Sequence, residues 1–143
     1  MPISTKLIKN VEFLDDSAIR DILKINRSNV DSGCLKQYSN YKDIESFRKS
    51  FNDTQKELYL AIDDSDEKIL GFMVISKPNA ISLIEVDDVK QRHGAGTILV
   101  KEAQSAYNNL ITKIDSNCPE KIINFLLKNG FQGYKGIFTW SRN

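Results

Sequence analysis

Residues Val86 to Ala106 read VDDVKQRHGAGTILVKEAQSA, and Gly94 and Gly96 separate two different apolar patterns. The segment "ISLIEV" that leads into this stretch is a short, mostly apolar run typical of a β-strand, whereas "TILVKEAQSAY" after the glycines has helical spacing. The first N–H groups of a helix lack partners within the helix and attract anions, and glycine allows the backbone to approach such an anion closely. The stretch therefore predicts an anion-binding loop between a strand and a helix, with an ordinary glycine turn as the alternative.

The segments on either side of this loop extend the pattern to the whole chain. Two amphipathic helical segments come first, and each carries apolar residues every three or four positions: "LDDSAIRDILKINRSN" and "YKDIESFRKSFNDTQ". Three strand-like runs separated by short polar turns follow and suggest an antiparallel meander: "ELYLAI", "ILGFMVIS" and "ISLIEV". In the last of these runs, alternation places Ile81 and Leu83 on one face, which Glu85 shares, and Ile84 and Val86 on the other.

After the loop, the chain alternates again between helical and strand-like segments. The helix after the glycines is followed by the strand-like "LITKID", the helical "NCPEKIINFLLKNG" and two short strands in "FQGYKGIFTWSRN". Gly130 is expected to end the last helix. The predicted order is α-α-β-β-β-loop-α-β-α-β-β, with a short additional strand segment near Lys6 to Phe13.

Composition narrows the class of protein. The chain of 143 residues predicts a single domain over residues 1–143, and 41% hydrophobic residues are typical of a globular core. Lys and Arg number 20 against 19 Asp and Glu, which disfavours a nucleic-acid partner. No segment has the length and apolarity of a membrane span, and no metal site is expected. The two cysteines, Cys34 and Cys118, are interpreted as free thiols, which favours a cytoplasmic protein.

Two common phosphate-binding motifs do not match the loop. The Walker motif has a glycine, four further residues and then Gly-Lys-Ser/Thr, and no such pattern includes Gly94 or Gly96. The dinucleotide-binding motif G-x-G-x-x-G would begin at Gly94, but Leu99 stands where its third glycine belongs. That motif also follows the first strand of a parallel unit, whereas a meander precedes this loop.

A third motif does match. Gln91-Arg92-His93-Gly94-Ala95-Gly96 fits the pattern Q/R-x-x-G-x-G/A, and from about Leu58 to Trp140 the chain resembles the GNAT superfamily of N-acetyltransferases. The element order and the Gly130-Phe131 ending of the last helix are part of the resemblance. It implies a mixed α/β (α+β) domain with a mostly antiparallel sheet of about six to seven strands, splayed at the coenzyme A site and flanked by about four helices.

The resemblance also implies which residues bind acetyl-CoA. The loop amides would surround the diphosphate, backbone groups near the end of the third strand of the meander would pair with the pantetheine arm, and Asn117 would add a hydrogen bond. The expected binding residues are Ile84, Val86, Gln91, Arg92, His93, Gly94, Ala95, Gly96, Thr97 and Asn117.

The expected chemistry is direct transfer, in which an amine nitrogen attacks the thioester and a thiolate departs. Glu85, next to the loop, is the candidate general base, with a position at the sheet margin and no catalytic role as the alternative. Many relatives carry a tyrosine acid four residues before the glycine of the Gly-Phe ending, and Leu126 stands there in this chain. Tyr134 is the preferred substitute for that acid, ahead of Tyr107.

These features predict an acetyl-CoA-dependent N-acetyltransferase acting on a primary amine of a small molecule or protein. A non-catalytic module that binds coenzyme A or another protein on the same scaffold is the alternative, and Leu126 is the residue that favours it. The acceptor amine has no recognisable sequence signature. The oligomeric state stays open between a monomer and a homodimer, although relatives often pair as dimers. Neither a nucleic-acid nor a membrane partner is expected.

Overall fold

The structure, a computed structural model, describes residues 2–31, 41–52, 55–87, 94–114, 120–134 and 136–142; the side chains of residues 30, 31 and 134 are outside this description. The helices in these ranges are α1 (Asp16–Asp31), α2 (Ile44–Ser50), α3 (Ala95–Ala106) and α4 (Glu120–Lys128). The strands are β1 (Ile3–Ile8), β2 (Lys56–Asp63), β3 (Ile69–Ser76), β4 (Ala80–Val86), β5 (Asn109–Lys113), β6 (Gln132–Tyr134) and β7 (Ile137–Ser141).

Within the described ranges, the strands form one seven-stranded sheet in the order β1-β2-β3-β4-β5-β7-β6. Five neighbouring pairs are antiparallel, and β4 and β5 are parallel. The predicted mixed, mostly antiparallel sheet with its flanking helices is therefore confirmed. The short strand segment expected near Lys6 to Phe13 lies earlier, because β1 pairs Ile3 to Ile8 with β2 and a 3-10 turn occupies Val11–Phe13.

The two faces of the sheet carry separate apolar clusters. One cluster joins α3 and α4 to the sheet and includes Leu99, Leu126 and Met73. The other joins α1 and α2 to the opposite face and includes Ile19, Ile22 and Phe47. Successive residues of β2 contribute to opposite clusters, as its alternation predicts.

A β-bulge in β4 reverses one prediction about side-chain direction. Ile81 pairs with Ile75 and Leu83 pairs with the adjacent Val74, so Ser82 is an extra residue in β4. Ile81 consequently packs in the cluster under α3, whereas Leu83 packs in the cluster under α1. Alternation along the sequence placed Ile81 and Leu83 on one face, and this was wrong because a bulge shifts the period of two.

β4 and β5 are paired only near the start of β4. The residue pair is Ala80 with Ile111, and the Thr112 hydroxyl donates a 2.9 Å hydrogen bond to the Ile81 carbonyl. Beyond Ile81, no pairing of β4 with β5 occurs within the described ranges. The edge of β4 from Leu83 to Val86 thus lies beside a gap, at the end of the strand that leads to the glycine loop.

Gly71 of β3 allows the end of β4 to lie close by. A Cβ atom at Gly71 would lie 2.8 Å from the Glu85 carbonyl oxygen and 3.3 Å from the Val86 Cα, both of which are backbone atoms. We expect Gly71→Ala to lower the free energy of unfolding by about 1–3 kcal/mol, because the paired backbone must move to admit the methyl group.

Urea denaturation measures this effect. Lys6→Ala, at an exposed position of β1, is the control and should change the free energy of unfolding by about 0.5 kcal/mol or less. Equal stabilities for Gly71→Ala and Lys6→Ala would contradict a close approach of β4 at Gly71.

Candidate active site

A cavity of about 280 Å³ lies at the gap beside β4, between the ends of three helices. It is lined by Asn29 of α1, by Ile84, Glu85 and Val86 of β4, by Gly94, Gly96 and Thr97 at the start of α3, and by Lys121, Ile122 and Phe125 of α4. Six of these ten residues belong to the set predicted from the sequence: Ile84, Glu85, Val86, Gly94, Gly96 and Thr97.

Gly94 begins α3 in a conformation that suits glycine. Its φ of 82° and ψ of 14° are left-handed, and no side chain caps the helix at this position. The first helical hydrogen bond is donated by the Ile98 N–H to the Gly94 carbonyl at 3.1 Å. The N–H groups of Ala95, Gly96 and Thr97 precede that bond, so they are the donors that a helix N-terminus offers to an anion.

Gly96 lies under the aromatic ring of Phe125. A Cβ atom there would be 3.3 Å from the Phe125 Cζ and 3.4 Å from the Val86 Cγ2. Any side chain at this position would therefore displace the ring or enter the cavity. Glycine is needed at position 96 for space, whereas it is needed at position 94 for backbone conformation.

The carboxyl group of Glu85 is almost fully buried, with 4% of the residue exposed. The Asn26 Nδ2 donates a hydrogen bond of 2.7 Å to Oε2, and the Asn29 Nδ2 donates one of 3.1 Å to Oε1. Burial raises the pKa of Glu85 to about 7, although the two amide hydrogen bonds act in the opposite direction. A carboxyl group with this pKa can exchange a proton near neutral pH.

One predicted residue offers only its backbone to the cavity, and several others lie outside the described residues. The side chain of Ala95 is buried in the apolar cluster under α3, so its backbone N–H is the group that it offers to an anion. Gln91, Arg92, His93 and Asn117 lie outside the described residues, as do Cys34 and Cys118. Their predicted roles stay predictions.

The described structure does not supply a tyrosine acid at the cavity. Leu126 is buried in the core, and the Tyr107 hydroxyl donates a hydrogen bond to Glu57 near the start of β2. Glu57 pairs with Ile75, near the end of the sheet at which β4 begins, so Tyr107 is far from Glu85. Tyr134 ends β6, which β5 and β7 separate from β4, and its side chain is outside the description.

The predicted end of α4 at Gly130 is confirmed. The Phe131 N–H donates to the Leu126 carbonyl at 3.0 Å, and the Gly130 N–H donates to the Leu127 carbonyl at 3.1 Å. These bonds and the φ of 90° at Gly130 form a Schellman motif, which ends the helix with a glycine in the left-handed conformation.

Four residues that line the cavity were not predicted: Asn29, Lys121, Ile122 and Phe125. A signal for Asn29 was present, because Asn26 and Asn29 continue the stripe of Ile19 and Ile22 on α1. Buried amides need polar partners, so the stripe implied a polar group opposite them. The residues of α4 gave no such signal, because Phe125 and Ile122 have the pattern of ordinary core residues.

A second cavity among the described residues lacks this set of side chains. A cavity of about 540 Å³ lies at the opposite end of the sheet, near Lys56 and Lys77, and contains none of the predicted site residues. Among the residues that the structure describes, no group of three or more His, Cys, Asp or Glu is placed to hold a metal ion. Within the same part of the chain, no helix combines the length and apolar character needed to cross a membrane.

Solved structures with a similar fold include several acetyltransferases. YhhK from Escherichia coli, solved bound to coenzyme A, is 17% identical with a TM-score of 0.68, covering 99% of this chain and 100% of its own. An acetyltransferase of the GNAT family from Staphylococcus aureus is 12% identical with a TM-score of 0.68, covering 96% and 99%. Apo YjaB from Escherichia coli is 19% identical with a TM-score of 0.64, covering 97% and 96%. These likenesses show the fold.

The sequence itself identifies the family. No curated protein matches the chain. The family model for the acetyltransferase (GNAT) domain matches residues 24–132, which include the strands of the meander, the glycine loop and α4. With the splayed sheet and the glycine-lined cavity, this match shows that the chain belongs to the GNAT acetyltransferase family.

Proposed function

We propose that this protein is an acetyl-CoA-dependent N-acetyltransferase that acetylates a primary amine of a small molecule or protein. The observation that carries the proposal is one cavity lined both by Glu85 and by the glycines at the start of α3. A proton acceptor and an anion-binding helix end thus face the same space. Membership of the GNAT family supports an acyltransferase reaction.

The chain provides groups that suit coenzyme A along the gap beside β4. The N–H groups at the start of α3 suit the diphosphate, and the absence of a side chain at Gly96 leaves room next to Phe125. The unpaired edge of β4 offers backbone groups to the pantetheine arm, with Ile84 and Val86 as apolar walls. Lys121 adds a positive charge in the same cavity.

Acetyl-CoA, when bound, supplies the acetyl group as an activated thioester. Glu85 accepts the proton that the acceptor amine must lose, and a pKa of about 7 suits this role because the group is ionised just above neutral pH. Lys121 opposes the negative charge of a departing thiolate. Leu126 has no proton to donate, and a thiol with a pKa of about 8.5 departs tolerably without an acid.

The alternative function is a module that binds coenzyme A but does not transfer the acetyl group. Leu126 is the observation in its favour, because the described part of α4 places no tyrosine at the cavity. Two measurements separate the functions: calorimetric binding of coenzyme A, and thiol release from acetyl-CoA across a panel of primary amines. Binding together with amine-dependent thiol release supports the transferase. Binding without thiol release from any amine supports the module.

The pH dependence of transfer tests the role of Glu85. The folded-state pKa is raised from 4.5 to about 7, so the reactive carboxylate is lost as the pH falls through 7. We expect kcat/KM, measured from pH 5.5 to 9, to fall about tenfold more per pH unit below that value than above it, where only protonation of the amine contributes. Glu85→Gln should abolish this step near pH 7 and retain only the slope due to amine protonation. A wild-type profile with no change of slope near pH 7 would contradict the assignment of the base.

A further inference from the structure

Two asparagines of α1 approach the same carboxyl group from one side. Asn26 and Asn29 are three residues apart on the helix, so their side chains lie on one face. They are 0% and 7% exposed, and each donates to a different oxygen of Glu85. On this face of α1 they follow Ile19 and Ile22, so α1 presents first an apolar and then a polar surface to the sheet.

The two hydrogen bonds distinguish the oxygens of Glu85. Asn26 does not line the cavity, and its 2.7 Å bond holds Oε2 on the interior side. Asn29 lines the cavity together with Glu85, and its 3.1 Å bond reaches Oε1. We propose that Asn26 and Asn29 are positioning residues, which hold the Glu85 carboxylate so that Oε1 accepts the proton of the acceptor amine. This inference rests on the proposed transferase function.

Asn29 also connects α1 to the backbone of β4. Its Nδ2 lies 3.3 Å from the Val86 carbonyl and 3.1 Å from the Ile25 carbonyl, in addition to Glu85. An amide has two N–H bonds, so three acceptors share them. Asn29 therefore fixes the side chain of the base and the end of the strand that borders the gap in the sheet.

The orientation of Asn26 indicates that this residue is present as a donor. Its Oδ1 is buried and has no hydrogen-bond partner among the described residues, whereas its Nδ2 is bonded to Glu85. An unpaired buried acceptor is unfavourable. The amide NH₂ group of Asn26, which contacts the carboxylate, is therefore the part of this side chain that stabilises the site.

The surroundings of Glu85 contain few charges that would compete with the amides. Across the sheet pair, β3 presents Phe72, and the residues of α3 at the cavity are uncharged. Lys121 of α4 is the other charged residue that lines this cavity, and Asp87 lines a separate cavity with Lys24 and Lys68. Among the described residues, the two asparagines are therefore the direct donors that favour the ionised form.

The test removes the donor of Asn26 while approximately keeping its volume. In Asn26→Leu we expect the pKa of Glu85, followed by the ¹³C shift of its carboxyl carbon, to rise by about one pH unit or more. The low-pH limb of kcat/KM should move by the same amount. Asn29→Leu should shift the pKa in the same direction and also lower kcat. Asn124→Leu, at an exposed position of α4, is the matched control and should move neither value.

Asn26→Asp is the second variant, and it preserves shape if Asn26→Leu does not fold. A second carboxyl group beside Glu85 should raise the pKa of Glu85 further than loss of the Asn26 amide does in Asn26→Leu. Variants that lose only thermal stability while the pKa of Glu85 stays unchanged would overturn the positioning role. The NMR titration needs no turnover, so a shifted pKa in a protein without transfer activity would refute the proposed function and leave the positioning intact.

Discussion

Glu85→Gln is expected to lower kcat/KM for acetyl transfer by about 100- to 10,000-fold, the range typical of the loss of a general base. Glutamine keeps the volume of the side chain and one acceptor for the amides of Asn26 and Asn29, so the cavity keeps its shape. The Kd for coenzyme A should therefore remain within about threefold of the wild-type value. Stopped-flow thiol release and calorimetric binding measure the two quantities.

Stability supplies an independent check on this variant. The raised pKa of Glu85 means that the wild-type protein loses stability as the pH rises from 4.5 through about 7. Glutamine does not ionise, so Glu85→Gln does not lose this stability at pH 8. Its melting temperature at that pH should equal or exceed that of the wild type. Glu45→Gln, on the exposed surface of α2, is the control for the chemical change and should transfer acetyl groups normally. Full transfer activity in Glu85→Gln would refute the assigned base.

Gly96→Glu is expected to weaken coenzyme A binding by about 100-fold or more, because two effects act together. Its Cβ would lie 3.3 Å from Phe125, so the side chain must turn into the cavity of about 280 Å³. Its carboxylate would then lie at the start of α3, where the diphosphate is expected, and repel it. An unfavourable change of about 3 kcal/mol corresponds to this loss of affinity.

Ala106→Glu is the matched control for the second prediction. It introduces the same charge in the last turn of the same helix, at an exposed position far from the loop. Its Kd for coenzyme A should stay close to that of the wild type, as measured by calorimetry. Unchanged binding in Gly96→Glu would show that the loop does not hold the cofactor. Weaker affinity for coenzyme A in both variants would show that the added negative charge acts wherever it lies on the helix.

The sequence was most informative where a residue type is tied to one physical requirement. Gly94 and Gly96 predicted a loop at the start of a helix because glycine permits both a left-handed φ and close approach of a ligand. Alternation along β2 predicted its two buried faces because successive side chains of a strand point to opposite sides of the sheet. These features depend on local backbone geometry, which the adjacent residues largely specify.

Features that depend on contacts distant in sequence were predicted poorly. The pairing of Asn26 with Glu85 joins residues 59 positions apart, and only the buried amide indicated that such a partner was needed. The placement of Phe125 over Gly96 likewise depends on how α4 packs against α3. The bulge at Ser82 is visible only through the pairing of β4 with β3, because β4 contains no glycine or other residue type that would mark a bulge in the sequence.

The extra residue at Ser82 has a consequence for comparisons among relatives of this protein. The bulge absorbs Ser82, so a strand without this residue would pair regularly with β3 and would still direct Leu83 and Glu85 towards α1. A homologue that lacks this residue can therefore keep the same proton acceptor. Alignments of the family should place a one-residue gap at Ser82, so that the carboxylate of β4 stays aligned.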